Sequence, residues 1–185
     1  MTTESQTLSI QPVTPERWDD LAELFERPGP RGGRQDSANC WCSVWRCTQG
    51  DPTTNRQELH DRVAASDEPG LLAYLDGEPV GWVSVAPRAH FTSLLRSTQF
   101  RPLDDDPDVW VVSCFIVDRR VRRSGLGTRL LAAAVAHARD HGATAVEGFP
   151  HEQPDYKGKL STFLSLGFAP VRTVGRRTVV RHTLS

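Results

Sequence analysis

The sequence predicts an α+β protein built on a mixed β-sheet, and three segments carry this prediction. Trp110 to Val117 is an almost unbroken run of apolar and β-branched residues, which is typical of a strand covered on both faces. Leu71 to Ala86 holds two apolar runs around Asp76-Gly77, a dipeptide suited to a tight hairpin turn. Gly127 to His141 has an apolar stripe at helical spacing, and Gly142 suits the end of that helix.

The N-terminal part of the chain predicts a short strand followed by a helix. Leu8 to Val13 is assigned to the strand. Thr14-Pro15-Glu16 starts the helix, because threonine can cap it, proline suits its first position and an acid favours its positive end. The helix then presents one apolar face made of Trp18, Leu21 and Phe25.

The other segments are assigned from composition and from the glycines and prolines that bound them. Asn39 to Arg46 mixes small and aromatic residues and is interpreted as a short strand or a turn. The remaining assignments, in chain order, are a loop at Pro28–Ser37, a helix at Thr54–Ala65, a connection at Arg88–Asp108, a strand at Ala143–Phe149, a helix at Lys159–Leu166 and a hairpin at Phe168–Leu184 that turns at Gly175.

Length and composition limit the class of protein. The 185 residues, 38% hydrophobic and 24% charged, predict one soluble globular domain over residues 1–185. No segment approaches the ~20 consecutive apolar residues of a membrane helix. Met1 to Ile10 lacks the pattern of a secretory signal, so we expect a cytoplasmic protein with no membrane partner. A net charge of −1 argues against nucleic acid as a partner, whereas a homodimer stays open.

The positive charge of the chain is almost entirely arginine, since Lys157 and Lys159 are the only lysines. Two interpretations stay open at this point. The first is codon usage in a GC-rich genome. The second is binding of a phosphate-bearing ligand, because a guanidinium group matches phosphate oxygens in a fixed fork.

Three of the four cysteines, Cys40, Cys42 and Cys47, lie close together in sequence. Without a signal peptide we expect free thiols in a reducing compartment. The C-x-C-x4-C spacing does not match the usual zinc pattern and no partner pair follows, so we expect no metal ion. The alternative to a metal site is packing of these thiols as small apolar groups. Cys114 is expected in the core rather than as a nucleophile.

The segment from Val117 to Thr128 carries the strongest chemical signal. A central strand ends there, an arginine-rich turn carries Gly125 and Gly127, and a helix starts at once. Unpaired N–H groups at a helix start, together with glycines that let a ligand approach the backbone, suit a pyrophosphate. A Walker A loop is excluded because the chain has no Gly-Lys-Ser/Thr. A dinucleotide fingerprint is excluded because Leu130 stands where a third small residue is needed.

On these residues the sequence resembles the GCN5-related N-acetyltransferase (GNAT) superfamily. Arg122-Arg-Ser-Gly125-Leu-Gly127 matches the family's Arg/Gln-x-x-Gly-x-Gly/Ala loop, which follows a strand ending in valine, here Val117. Leu166-Gly167-Phe168 also falls in the family's order, whereas Arg119 replaces its usual proline. The resemblance implies an α/β/α layered fold with a mixed, mostly antiparallel sheet whose central strands splay apart. A glycine turn in an unrelated α+β protein is the alternative.

The resemblance also implies how acetyl-CoA would bind as co-substrate. Backbone N–H groups of the turn would hold the CoA pyrophosphate, and the backbone of the central strand would pair with the pantetheine arm. An N–H group of that strand would polarise the thioester carbonyl and stabilise the oxyanion. The residues implied in the strand and the turn are Phe115, Ile116, Val117, Arg122, Arg123, Ser124, Gly125, Leu126, Gly127 and Thr128.

The general acid is the point at which the sequence departs from the family. The family often places a tyrosine four residues before the glycine of its terminal Gly-Phe. Here that residue is Phe163, which cannot donate a proton. Tyr156, seven residues earlier, is the substitute we expect, and Ser161 is the second candidate. The alternative for Tyr156 is a surface tyrosine without a catalytic role.

For the general base, Glu147 is the candidate, and an ion pair at a strand end is its alternative. Trp41, Trp45 and His90 are expected in the acceptor pocket, with ordinary core packing as the alternative for both tryptophans. These assignments predict an N-acetyltransferase that acts on a primary amine of a small molecule, such as an amino acid, an amine metabolite or an antibiotic, by direct attack in a ternary complex. The alternative function, favoured by Phe163, is a catalytically degenerate acyl-CoA-binding sensor.

Overall fold

A computed structural model describes residues 7–28, 37–46, 50–153 and 155–185 of the chain. One seven-stranded sheet runs through these residues. In chain order its strands are β1 Leu8–Pro12, β2 Gly70–Leu75, β3 Glu78–Pro87, β4 Val109–Val117, β5 Ala145–Gly148, β6 Ala169–Val174 and β7 Arg177–Thr183.

Helices cover both faces of this sheet. They are α1 Trp18–Glu26, α2 Ser37–Cys40, α3 Pro52–Ala64, α4 Thr92–Leu95, α5 Leu126–Asp140 and α6 Leu160–Ser165, with 3₁₀ turns at Pro15–Arg17, Arg88–His90 and Arg119–Val121. Among the described residues, no helix has both the length and the apolar character that crossing a bilayer requires.

The spatial order of the strands is β1-β2-β3-β4-β5-β7-β6. All neighbouring strands are antiparallel except β4 and β5, which are parallel. A parallel pair needs a crossover connection, and α5 supplies it. The mixed sheet that the sequence predicted, and the mostly antiparallel pairing that the resemblance implied, are thereby confirmed.

Strands β4 and β5 separate half-way along β4. Their pairing ends at Val112 opposite Gly148, whereas β4 continues to Val117. Beyond this point β4 pairs only with β3. Its other edge therefore presents backbone groups that the sheet does not satisfy. This is the splayed arrangement that the resemblance implied.

A β-bulge lies at the point of separation. Ser84 pairs with Cys114 and Val85 pairs with Val112, so Ser113 has no residue opposite it. The Ser113 hydroxyl donates a hydrogen bond to Ser84 Oγ at 3.0 Å, and the buried Arg46 also donates to that oxygen at 3.0 Å. The extra residue bends β4 and changes the direction of its backbone groups where the sheet opens.

Apolar side chains pack against both faces of the sheet. On one face, α5 buries Leu130, Leu131 and Ala134. On the other face, α1 and α3 pack around Trp41 and Trp82. The predicted apolar face of α1 is confirmed, because Trp18, Leu21 and Phe25 are all buried there.

The strand alternative for Asn39 to Arg46 is wrong, and the turn alternative is right. Helix α2 ends at Cys40, and Trp41, Cys42 and Trp45 then have positive φ angles of 45°, 55° and 74°. A strand does not accommodate such angles. The predicted loop at Pro28–Ser37 falls almost entirely outside the described residues, as does Cys47.

Helix α3 begins at Pro52, two residues before the predicted start. The Asp51 carboxylate accepts hydrogen bonds from the backbone N–H groups of Thr53 and Thr54, and proline takes the first helical position. The predicted connection at Arg88–Asp108 likewise contains α4 and one of the 3₁₀ turns.

Candidate active site

The turn between β4 and α5 leaves several backbone N–H groups unpaired. Gly125 caps α5 with a φ of +81°, a conformation that favours glycine. The N–H of Arg129 donates to the Gly125 carbonyl at 3.1 Å, which closes the first turn of the helix. The N–H groups of Leu126, Gly127 and Thr128 precede this bond and have no intrahelical acceptor. Three adjacent donors therefore stand at the positive end of the helix.

Space for a ligand is open above these donors. A Cβ atom built on Gly125 or Gly127 would meet nothing within 4 Å. The hydroxyl of Ser124 is used inside the turn, where it donates to the Val121 carbonyl at 2.7 Å. The turn predicted to hold a pyrophosphate is thus folded with its backbone exposed toward solvent.

A cavity of about 460 Å³ lies next to the turn, and its charged lining is entirely basic. Arg122, Arg123 and Arg129 are exposed there and form no ion pair with any described residue. Leu8, Leu75, Val80 and Leu126 supply its apolar part. Guanidinium groups beside an apolar surface suit a phosphate that is attached to a flat ring system.

Asp118 fixes the start of the turn. Its carboxylate accepts hydrogen bonds from the backbone N–H of Arg120 at 2.8 Å and from the side chain of Arg27, which follows α1, at 2.5 Å. Partial burial acts to raise the pKa of Asp118, but the hydrogen bonds from Arg120 and Arg27 outweigh this effect and lower the pKa to about 2. Arg120 also reaches Glu78 at 3.1 Å, so its guanidinium is already engaged by carboxylates.

The open edge of β4 is covered by the chain itself. The N–H of Phe115 donates to the backbone carbonyl of Tyr156 at 2.6 Å. Gly158 lies against the same strand, since a Cβ there would be 3.0 Å from Cε2 of Phe115. We call residues 155–158 the covering segment. It occupies a backbone donor that the resemblance assigns to the pantetheine arm or the thioester carbonyl.

Phe163 fills the fork between β4 and β5. Its side chain is fully buried, with ring centroids 6.1 Å from Phe115 and 5.0 Å from Phe168. A Cβ on Gly148 would be only 2.3 Å from this ring, so glycine is required there. Where the family often has its general acid, this chain therefore has an apolar side chain in apolar surroundings.

Glu147 is buried on β5 between two arginines. Its Oε1 atom lies 3.4 Å from Arg88 and 3.3 Å from Arg181. Burial raises the pKa of Glu147, and the two guanidinium groups oppose that rise. Arg88 and Arg181 also both bind the carboxylate of Asp104. The ion pair foreseen as the alternative is present, and a role as base stays a prediction.

The two candidate acids lie on the surface near the splay. Tyr156 is 41% exposed, and its backbone carbonyl accepts the hydrogen bond from Phe115 of β4. Ser161 is exposed in the first turn of α6. Their catalytic roles stay predictions.

The predicted acceptor residues separate into two groups. Trp41 is buried and stacks on Phe25 with ring centroids 4.9 Å apart, as core packing requires. Trp45 is half-buried and faces the covering segment, where the Lys157 ammonium lies 4.3 Å from its ring centroid. His90 lies 3.6 Å from Asp67, and burial lowers its pKa although that carboxylate opposes the effect.

Sequence reasoning missed the covering segment and several polar groups buried in the core. Arg46 reaches the Pro69 carbonyl at 2.8 Å, and Trp82 Nε1 donates to Cys42 Sγ at 3.2 Å. A hydrogen bond with Cys42 lowers the pKa of the buried Cys114 thiol. In the sequence, only the glycine at position 158 hinted at this segment. Glycine readily adopts the positive φ that Gly158 has where the chain folds back onto β4.

Comparison with known proteins assigns the fold and the turn to a family. A family model described as the acetyltransferase (GNAT) family matches residues 18–168, which include the β4 strand, the turn and α5. The chain belongs to this acetyltransferase family. No curated protein matches the sequence.

Solved structures of GNAT proteins share this fold at low sequence identity. An aminoglycoside acetyltransferase, AAC(6')-Ib, in complex with coenzyme A is 17% identical, with a TM-score of 0.64 over 96% of this chain and 95% of that one. The putative acetyltransferase yncA from Salmonella typhimurium, with acetyl-CoA, is 16% identical, with a TM-score of 0.59 over 96% and 94%. The GNAT domain of S. lividans PAT is 16% identical, with a TM-score of 0.62 over 100% and 99%.

Proposed function

We propose that residues 1–185 form one acetyl-CoA-dependent N-acetyltransferase domain that transfers acetyl to a primary amine of a small molecule in the cytoplasm. The observation that carries this proposal is the row of unpaired amides at Leu126, Gly127 and Thr128, which follows a strand whose outer edge has left the sheet. A diphosphate fits the amides, and an extended arm fits the open edge. Coenzyme A and acetyl-CoA, which accompany related structures, combine these two parts.

The residues near the separation of β4 and β5 suggest how the reaction proceeds. The amine nitrogen attacks the carbonyl carbon, a C–N bond forms, and the C–S bond then breaks. The N–H of Phe115 would stabilise the oxyanion once the Tyr156 carbonyl has left it. Glu147 would take the ammonium proton, directly or through water, because its raised pKa suits a base. Tyr156, or Ser161 in its place, would give a proton to the departing thiolate.

Blocking the turn tests the proposed binding mode of acetyl-CoA. In Gly127→Val the new side chain would stand above the free amides, in space that is empty in this structure. We expect the CoA dissociation constant to rise at least about tenfold, since several charge-assisted hydrogen bonds are lost. Ala132→Val is the matched control, because Ala132 is exposed on the same helix away from the turn. Equal weakening in both variants would remove the support for this binding mode.

The acceptor class is tested by measuring thiol release from acetyl-CoA across a panel of amines. The panel includes amino acids, polyamines, aminoglycosides and peptide N-termini, and mass spectrometry identifies any acetylated product. Aminoglycosides are included because one structurally similar enzyme is an aminoglycoside acetyltransferase. An N-acetylated product with any small amine supports the proposal.

A second candidate function, an acyl-CoA sensor without turnover, is favoured by Phe163. The buried phenylalanine has no hydroxyl group with which to protonate a departing thiolate. Binding of acetyl-CoA by calorimetry, with no thiol release against the whole panel, would favour the sensor over the enzyme.

A further inference from the structure

We propose that Glu68, His137 and His141 form a zinc-binding site at the C-terminal end of α5, away from the acetyltransferase site. His137 and His141 are four residues apart on one helix, so both side chains lie on the same face. Glu68 approaches this face from the segment between α3 and β2. One ligand atom from each residue lies within 4.8 Å of the other two.

Two of the three distances between the ligand atoms are close to those of a tetrahedral zinc site, and the third is no more than 4.8 Å. Glu68 Oε2 lies 3.7 Å from Nε2 of His137 and 3.7 Å from Nε2 of His141. Ligand atoms about 2.0–2.1 Å from a tetrahedral zinc ion are roughly 3.4 Å apart. A movement of a few tenths of an ångström therefore brings the carboxylate oxygen into place. At 3.7 Å neither pair is a hydrogen bond, so these atoms do not satisfy one another.

His137 is the second, independent sign of a ligand. Its side chain is more than nine-tenths buried, and its Nε2 atom has no hydrogen-bond partner among the described residues. A buried polar nitrogen without a partner is costly. This atom points to the Glu68 carboxylate and to His141, which is where a metal ion would satisfy it.

The imidazole rings are already oriented for metal binding. His141 Nδ1 lies 2.8 Å from the carbonyl oxygen of His137 and must donate to it, because a carbonyl only accepts. The proton is thereby placed on Nδ1, and Nε2 of His141 keeps its lone pair, as in many histidine–metal sites. Trp110 packs against both rings with centroids 5.6 Å away and restricts their rotation.

The donor set selects the class of metal. Two imidazole nitrogens and one carboxylate suit zinc and its neighbours in the first transition series, whereas calcium and magnesium prefer oxygen ligands. His141 and Glu68 are partly exposed, which leaves room for a water molecule as fourth ligand. The site is roughly 16 Å along α5 from the amides of the turn, by the rise of a helix. Zinc would tie the α3–β2 segment to α5 and act on stability rather than on the transfer step.

Zinc titration of the chelator-treated protein tests the site by calorimetry and thermal unfolding. We expect one zinc ion per chain and, at 100-fold excess over the dissociation constant, a rise in the unfolding midpoint on the order of 5 °C. Glu68→Gln and His141→Ala should weaken binding at least about tenfold and abolish the thermal shift. Both residues are partly exposed, so these variants are expected to fold, whereas the buried His137 is left intact.

Two controls distinguish zinc binding at this site from zinc binding by another histidine or by the cysteines. His60→Ala removes an exposed histidine on α3 and should bind zinc like the wild type. Cobalt replaces zinc for spectroscopy, and a spectrum without a thiolate charge-transfer band excludes the cysteines as ligands. The proposal is overturned by no zinc binding, by equal binding in Glu68→Gln and His141→Ala, by loss of binding in His60→Ala, or by a thiolate band.

Discussion

The backbone N–H of Phe115 and the backbone carbonyl of Tyr156 form a hydrogen bond of 2.6 Å across the splay of the sheet. Phe115 lies in β4 beyond the last residue that pairs with β5, so the sheet offers this donor no partner. The covering segment supplies the partner instead. In the proposed binding mode, a co-substrate arm that adds to the edge of β4 replaces this bond, so we expect binding to be coupled to movement of the segment.

Destabilising the covering segment should strengthen CoA binding. Gly158 has a φ of +89°, and a Cβ there would lie 2.9 Å from the Phe163 ring and 3.0 Å from the Phe115 ring. Gly158→Ala should therefore disfavour the closed arrangement and lower the apparent CoA dissociation constant about two- to tenfold, since more molecules have a free edge. Calorimetry measures the change.

The matched control for this prediction is Gly175→Ala. Gly175 also has a positive φ, of +59°, but a Cβ there meets nothing within 4 Å, and it lies in the β6–β7 turn. This variant should bind CoA like the wild type. Weaker binding in Gly158→Ala would instead indicate that the segment forms part of the binding site.

Restoring a hydroxyl at Phe163 should speed thiol release. The ring lies in the fork between β4 and β5, where the resemblance places a general acid, and such acids contribute about 10²–10⁴-fold to a rate. Phe163→Tyr should raise the rate of thiol release at least about tenfold. Phe168→Tyr adds the same hydroxyl to the neighbouring ring and should have no such effect. Equal rates in Phe163→Tyr and wild type would show that this position does not limit the reaction.

Glu147 should control the acid side of the pH–rate profile. Burial raises its pKa, so the carboxylate is protonated and inactive as a base at a higher pH than a free glutamate. Glu147→Gln should lower kcat about 100-fold and remove the acid limb of the profile. Glu152→Gln, at an exposed position, is the control. A retained acid limb in Glu147→Gln would assign the base to another residue.

The raised pKa of Glu147 also affects how the free energy of unfolding depends on pH. Because the folded-state pKa of Glu147 is raised, its titration contributes stability that is fully present below the unfolded value of about 4.3 and is lost as the pH rises through the folded value. Denaturant unfolding as a function of pH should therefore show wild type losing stability relative to Glu147→Gln over that window.

Asp118 should show the opposite dependence. Its folded-state pKa is lowered to about 2, so its contribution is present above the unfolded value of about 3.9 and disappears as the pH falls through about 2. Asp118→Asn should cost about 1 kcal/mol at neutral pH, after allowance for screening by solvent. It should also weaken CoA binding, because the carboxylate holds the backbone of the turn. Asp105→Asn, at an exposed position, is the control.

Much of the fold was predictable because its signals are local. The apolar run at Trp110–Val117, the hairpin at Asp76-Gly77 and the stripe of α5 all form the elements that the sequence indicated. Asn39 to Arg46 was not predictable as turns after a helix, because left-handed backbone at Trp41 and Trp45 is set by packing rather than by residue preference.

The candidate site was predictable only where it is built from consecutive residues. Gly125 shapes the turn because glycine readily adopts its positive φ, and the free amides follow from the start of a helix. Glu147 shows the limit, since its two arginine partners come from segments 59 and 34 residues away.

The sequence by itself determined the strand, turn and helix that leave adjacent amides unpaired, because these features depend on neighbours in the chain. The tertiary structure decided which distant groups meet. It placed the Tyr156 carbonyl on Phe115 and brought Glu68 to His137 and His141. Such contacts arise when the sheet and its helices bury their apolar faces together, and the spacing of residues along the chain carries no record of them.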